Sequence, residues 1–220
     1  MDLRDFYDRY WQAPCQRDGS QDPARRARGA RLKRALARLE AGSVVGDVGC
    51  GTGEFTRLVA EWGFEAYGCD VAAEAVTLAR EHWPEVDFAT CRPDGGLPWA
   101  DGFCDAVWCS EVLEHVFDVY GFMAELNRVI RDGGMLVLTT PYHGRLKSVL
   151  VSLLKFSAHF SPWISHIRFF DRRSLSEGLR LGGFSAERWS GVGRIWPLYR
   201  SFFVVARKVG PPGPRPDIVG

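Results

Sequence analysis

Three glycines, Gly49, Gly51 and Gly53, occupy alternate positions, with Asp47 two residues ahead of the first and Asp70 seventeen residues after the last. Glycine lets a backbone reach positive φ and approach a ligand closely. A glycine loop between a strand and a helix is where nucleotide-type ligands sit against a parallel sheet. The dinucleotide fingerprint G-x-G-x-x-G would need a third small residue at position 54, which is Glu54, so the spacing argues against a dehydrogenase. A carboxylate at Asp47 can pair, directly or through water, with an ammonium group on a ligand, and a dinucleotide has none. Asp70 is placed to accept both hydroxyls of a ribose. The alternative for Asp70 is an N-cap for the helix that follows, and the two roles are compatible.

These residues need elements to hold them, and the pattern supplies a strict alternation. Strand-like Ser43–Val48 leads into the glycine loop, helical Glu54–Glu61 follows, and strand-like Glu65–Cys69 ends at Asp70. Helix Ala72–Glu81, short strands Val86–Thr90 and Cys104–Cys109, helix Gly121–Ile130, a turn at Asp132-Gly133-Gly134 and strand Met135–Thr139 continue it. Strands alternating with helices imply an α/β fold with helices on both faces of a parallel sheet. After Pro141 come an apolar helix over 144–160, an extended piece His166–Phe170, a helix Leu175–Leu181 and two last strands, Ser185–Trp189 and Ser201–Ala206. Ahead of the alternation, Asp22-Pro23 opens a helix that reaches about Glu40. Residues 1–42 are therefore expected as an N-terminal helical cap region, 43–208 as the ligand-binding domain with an apolar insert at 144–165, and the Pro- and Gly-rich 209–220 as a disordered tail.

In order and spacing, the run Val45-Gly-Asp-Val-Gly-Cys-Gly-Thr-Gly53 resembles motif I of the class I methyltransferases that use S-adenosylmethionine (SAM), and Cys69-Asp70-Val71 resembles their second motif. Leu97-Pro98-Trp99, Phe103-Cys104-Asp105 and Ser110-Glu-Val-Leu-Glu-His-Val116 resemble the stretch through the fourth strand, and Arg131-Asp132-Gly-Gly-Met-Leu136 the turn into the fifth. The Glu-Val-Leu-Glu-His-Val stretch and His166-Ile-Arg-Phe-Phe170 look most like the ubiquinone-biosynthesis type of O-methyltransferase. The resemblance implies a Rossmann-like three-layer sandwich whose seven-stranded, mostly parallel sheet has its last strand antiparallel. It implies SAM as cofactor and S-adenosylhomocysteine as product. Asp47, Gly49, Cys50, Gly51 and Gly53 would surround the methionine part, Asp70 would bind the ribose, Val71 would pack on adenine, and Ser110 and Glu111 would line the pocket near the sulfonium. Two departures stand out: Gly46 replaces a bulky strand residue, and the adenine-side acid is reduced to Asp94, with Pro93 or Arg92 as backbone alternatives.

Methyl transfer from a sulfonium is an in-line displacement, so the protein's task is mainly alignment. A phenolic oxygen also benefits from a base titrating near neutral pH. Of five histidines, His143, His115 and His166 follow strand ends or lie in the variable region on the expected side; a structural hydrogen bond is the alternative for each. Tyr10 and Trp11 at the N-terminus and Tyr142 beside His143 are candidate walls for the acceptor. Glu111, Glu114 and Asp118 cluster around His115, but helix spacing accounts for them, and no metal is expected.

The segment 144–165 reads three ways: a buried helix, a lid over the acceptor, or a peripheral membrane contact helped by Arg145, Lys147 and Lys155. Seven basic residues from Arg25 to Arg38 make a solvated face or a patch for an anion. The formal net charge is +1, and no Asn/Asp-Pro-Pro-aromatic motif follows the fourth strand, which disfavours a nucleic-acid substrate. The six cysteines form no CxxC pair and the N-terminus lacks an apolar stretch, so reduced thiols and the cytoplasm are expected. The function expected is methylation of a small-molecule acceptor, most simply at a phenolic or quinone-like oxygen. N- or C-methylation of a small molecule or protein, and a non-catalytic SAM-binding module, are the alternatives. No residue pattern fixes an oligomeric state.

Overall fold

The computed structural model describes residues 3–12, 24–92, 96–159 and 167–217. In chain order the elements are α1 (Leu3–Gln12), α2 (Arg25–Leu36), β1 (Val44–Val48), α3 (Glu54–Glu61), β2 (Glu65–Asp70), α4 (Ala73–His82), β3 (Asp87–Thr90), β4 (Cys104–Ser110), α5 (Val119–Val129), β5 (Ile130–Pro141), α6 (Arg145–His159), α7 (Arg172–Leu181), β6 (Phe184–Val192) and β7 (Ser201–Lys208). The strands form one sheet in the order β3-β2-β1-β4-β5-β7-β6. β7 is antiparallel to both its neighbours and the others run parallel.

Central strands buried on both faces carry apolar side chains at successive positions. In β4, Val107 and Cys109 pack with Phe122, Met123 and Leu126 of α5 and Leu175 and Leu179 of α7. Ala106 and Trp108 point the other way, against Leu32, Ala35 and Leu36 of α2 and Val59 of α3. This is the three-layer sandwich expected. The strand order reverses direction at β1 and β4, the place where an α/β sheet opens a crevice at its carboxyl edge.

Gly46, the odd residue in β1, has a physical reason: a Cβ there would lie 2.7 Å from the Trp99 indole and 3.0 Å from Cys104 Sγ. The strand gives up a side chain so that Trp99 can be buried. α7 begins at Arg172, three residues earlier than expected, because Asp171 and Ser174 form a capping box. β5 begins at Ile130, and the expected Asp132-Gly133-Gly134 turn survives inside it as an outward excursion: Cys104 pairs with Ile130 but Ala106 with Met135.

Three expectations need correction. α2 is part of the sandwich rather than of a separate cap, since Leu32, Ala35 and Leu36 are fully buried. Residues 209–217, taken for a disordered tail, are tied down by hydrogen bonds: Val209 N to Gly183 O, Gly213 N to Leu181 O, Asn127 Nδ2 to Gly210 O and Tyr120 Oη to Gly213 O. α6 is not a plain buried helix, because Leu153 and Leu154 are 76% and 77% exposed. Among the described residues no helix is long and apolar enough to cross a membrane. Pro93, Asp94, His166 and the Asp22-Pro23 helix start lie outside the described residues.

Candidate active site

The glycine loop leaves the end of β1 and enters α3 with three left-handed residues, Gly49 at φ 74°, Gly51 at 53° and Gly53 at 81°. Space is as restrictive as conformation. A Cβ on Gly49 would come within 2.3 Å of Val112 Cγ2, and one on Gly51 within 2.9 Å of the Trp11 indole. Gly49 N and Cys50 N both donate to Cys69 O, at 2.8 and 3.0 Å, which binds the loop to the end of β2. Burial and the nearby acids push the Cys50 thiol well above its ordinary range, which favours the neutral thiol beside the loop.

Asp70 also fastens the loop. Its Oδ2 accepts from Gly51 N at 3.0 Å and its Oδ1 from Ala72 N at 2.9 Å, the latter at the start of α4. The helix-start role and the loop role therefore coexist, and each oxygen keeps a lone pair for a ligand. Burial raises its pKa, opposed by the backbone donors. Asp47 is buried inside β1 and accepts from Thr56 Oγ1 at 2.7 Å. Desolvation pushes its carboxyl up to about 7, despite the Thr56 hydrogen bond. Val71 follows Asp70 at the strand end and is half-buried.

A helix with no strand of its own covers this crevice. α1 lays Trp11 on the glycine loop, donates from Arg4 Nη2 to Cys91 O at 3.2 Å, and accepts Glu74 N on Asp8 Oδ1 at 3.0 Å. Tyr7 faces inward from α1. Its ring meets His115 edge-on at 6.0 Å, and burial, with Asp70 and Glu114 nearby, drives its phenol pKa strongly up. Tyr10, one turn on, is the outer member of the same aromatic chain, 6.4 Å from Tyr7 and 5.6 Å from Trp11.

Across the crevice, at the ends of β4 and β5, Ser110 Oγ meets Thr139 Oγ1 at 2.9 Å. Glu111 is the one described non-glycine residue with positive φ, 56°. Its two oxygens are held apart: Arg28 Nη1 lies 3.2 Å from Oε1, and Ser201 Oγ donates to Oε2 at 3.1 Å. Glu114 is buried and accepts from Thr140 Oγ1 at 3.1 Å; burial and the Glu111 charge hold its carboxyl well above the usual range. His115 Nε2 lies 3.9 Å from Glu114 Oε1. Glu114 O accepts from both Ile167 N and Arg168 N, and Phe169 in turn meets His143 edge-on at 4.9 Å. His115 and His143 thus border the same 167–169 segment. Tyr142 packs on Phe202 and Tyr199 beside them. Asp118 turns away to cap α5 through Gly121 N and to pair with Arg215. Among the described residues no group of three His, Cys, Asp or Glu is arranged to hold a metal ion.

The residues picked from the sequence fall into two groups on one edge of the sheet. Asp47, Gly49–Gly53, Asp70, Val71 and Trp11 form one; Ser110, Glu111, His115, Tyr142 and His143 form the other. Tyr7, Arg28 and Glu114 join the site from outside the residues that the sequence points to. Tyr7 carried a signal in its helical spacing to Tyr10 and Trp11, whereas Arg28 is one arginine among seven basic neighbours.

Residues 46–138 match the family model described as a methyltransferase domain. That match, with the likenesses that follow, supports a class I, SAM-dependent methyltransferase. A ubiquinone biosynthesis O-methyltransferase from Xanthomonas oryzae pv. oryzae is 36% identical over 137 residues, covering 60% of this chain and 56% of that protein. The chain spans about half the length of the curated relatives it matches. Among solved structures, the Haloferax volcanii complex of the Trm112 methyltransferase activator with a putative methyltransferase superposes with a TM-score of 0.72 at 22% identity, covering 96% of this chain and 99% of that one. The Burkholderia thailandensis 1,6-didemethyltoxoflavin-N1-methyltransferase, with 1,6-didemethyltoxoflavin and S-adenosylhomocysteine bound, gives 0.70 at 23% identity, covering 94% and 88%. The residues present fit SAM: a backbone cradle that a Cβ would fill, and beneath it the buried Asp47 carboxylate, whose pKa burial raises and which a cationic group would stabilise in its ionised form.

Proposed function

We propose that this protein methylates an oxygen of a small phenolic or quinone-like acceptor, with SAM as donor. The observation that carries the reading is the juxtaposition of the two groups just described: a cofactor cradle closed by Trp11 and Tyr7, facing a rim with His115 and His143. SAM when bound supplies an electrophilic methyl on a good leaving group. The chain's residues do the rest. Gly49–Gly53 would admit the methionine end, Asp47 would neutralise the ammonium, Asp70 would fix the ribose, and Val71 would flank the adenine. Ser110 and Glu111 border the sulfonium, where Arg28 keeps the Glu111 carboxylate from swinging. The acceptor lies between α1 and the 142–143 turn, against Tyr10, Trp11 and Tyr142. His143 takes its hydroxyl proton on a ring nitrogen as the oxygen attacks in line. His115, oriented by Glu114, is the next candidate base, and His166 the third.

Oxygen as the acceptor atom is supported by the ubiquinone-biosynthesis relative. The N1-methyltransferase likeness keeps nitrogen as the second reading, since that acceptor would need no base. The exposed face of α6 supports delivery of an apolar acceptor from a bilayer surface: Leu153 and Leu154 stand in solvent, and no Asp or Glu occurs from 133 to 170.

Radiolabelled SAM offered with panels of phenols, amines and carbon acids tests the reading. Label should pass to phenols, and His143→Ala should cut that turnover by roughly 10²- to 10⁴-fold with unchanged SAM affinity. Transfer to amines alone, or a fall of less than about fivefold, would overturn the oxygen reading or the His143 role respectively; binding of SAM with no transfer to any acceptor would leave a non-catalytic module.

A further inference from the structure

The outer side of α2 carries more positive charge than the fold needs. Arg28 is spent on Glu111, and Arg38 and Arg207 share Glu187, at 3.3 and 2.6 Å. Arg31, Arg34 and Arg188 form no close ion pair among the described residues, although the charge of Arg188 reaches Glu187; Arg31 Nη1 donates to Ala27 O at 3.1 Å. These three arginines line one groove of about 400 Å³ between α2 and β6. Its remaining wall is Ala30, Ser190 and Phe203. Nothing lining it belongs to the glycine loop, to Asp47 or Asp70, or to the rim around His115 and His143.

Five arginines, the groove's three with Arg38 and Arg207, stand around the single carboxylate of Glu187, and the positive charge left over on the groove is one that an anion can take up. The guanidinium fork matches a phosphate's oxygens in pairs, which an ammonium cannot do. Arg31 and Arg34 are one helical turn apart on α2, so they share a face. Arg188 reaches the groove from β6, opposite that face, and is held there by a ladder in which it pairs with Val205 while Ser190 pairs with Phe203. The groove therefore offers charge from two elements and a hydroxyl donor in a volume suited to a small molecule. The geometry points to a second binding site, separate from the methyl-transfer centre, for a small organic phosphate: the phosphate sits among Arg31, Arg34 and Arg188 beside the Ser190 hydroxyl, and the rest of the molecule lies over Ala30.

The test is calorimetry of the full chain with phenyl phosphate at low ionic strength. Binding should be saturable at one site per chain. The Arg34→Gln/Arg188→Gln double variant should bind at least about tenfold more weakly, a loss of about 1.4 kcal/mol. An Arg173→Gln/Arg180→Gln variant removes equal charge from α7 and should bind as the parent does. SAM affinity should be the same in all three proteins, which separates this site from the cofactor cradle. No saturable binding, unaltered binding in the first variant, or an equal loss in both variants would overturn the proposal.

Discussion

The two sides of the crevice are built on different principles. The β1–β2 side is a backbone site: its shape comes from left-handed glycines, from amides tied to Cys69 O and from two buried carboxylates. The β4–β5 side is a side-chain site, in which Arg28, Glu111, Glu114, Thr140 and Ser201 hold one another and the outer rim exposes apolar groups. Backbone sites tolerate little change because a Cβ meets fixed atoms. Side-chain sites can be rebuilt residue by residue, which suits the part of an enzyme that chooses among acceptors.

The comparison breaks most sharply if the cradle proves forgiving. Gly49→Ala adds a Cβ 2.3 Å from Val112 at φ 74°. Left-handed backbone costs an L-residue roughly 1–2 kcal/mol before the overlap is counted. SAM affinity by calorimetry should fall more than about 100-fold. Asp70→Ala should lose roughly 10- to 100-fold, since a charge-assisted hydrogen bond contributes about 1.5–3 kcal/mol. Normal SAM affinity in a folded Gly49→Ala protein would show that the loop is not the cradle.

On the acceptor side the expected effect is smaller and of another kind. Leu153→Ser with Leu154→Ser removes two of the most exposed apolar side chains of α6. If that rim contacts a bilayer, binding to anionic vesicles measured by sedimentation should weaken roughly tenfold or more, at about 25 cal/mol per Å² of lost apolar contact. SAM affinity should not move. Equal vesicle binding by parent and variant would leave α6 as a lid over the acceptor only.

The same division explains how much could be read from the residues alone. Glycine spacing reports directly on backbone geometry, so the left-handed loop between β1 and α3 was legible, while the seven-stranded sheet with its antiparallel last strand followed from the resemblance to the methyltransferase family rather than from any single spacing. The ion pair of Arg28 with Glu111 was not legible, because an arginine's partner depends on how a helix is rotated against the sheet, and α2 presents arginines all round. Residues 209–217 differ from expectation for a related reason. Their Pro and Gly content suggests disorder, yet their backbone finds Asn127, Gly183 and Leu181 as partners, and composition does not report partners. Gly46 looked like a defect until Trp99 was seen to fill the space beside it.

Asp47 gives the finest test of the cradle, because it predicts a slope rather than a loss. In the free protein, burial raises its carboxyl to about 7, so below that pH it is mostly protonated. An ammonium group beside it favours the ionised form and lowers the pKa. Binding SAM at pH 6 must then expel a proton from Asp47. By linkage, SAM affinity is fully expressed above about pH 7 and declines as pH falls, approaching tenfold per unit for one group. Calorimetry at pH 6 in two buffers of different ionisation enthalpy should report release of close to one proton per SAM. Asp47→Asn keeps a hydrogen-bonding oxygen for Thr56 but cannot ionise, so it should bind SAM weakly with a flat profile between pH 5.5 and about 7. If the parent releases no proton and its affinity is flat over that range, the ammonium group binds elsewhere, and the acid in β1 serves only to anchor Thr56 at the start of α3.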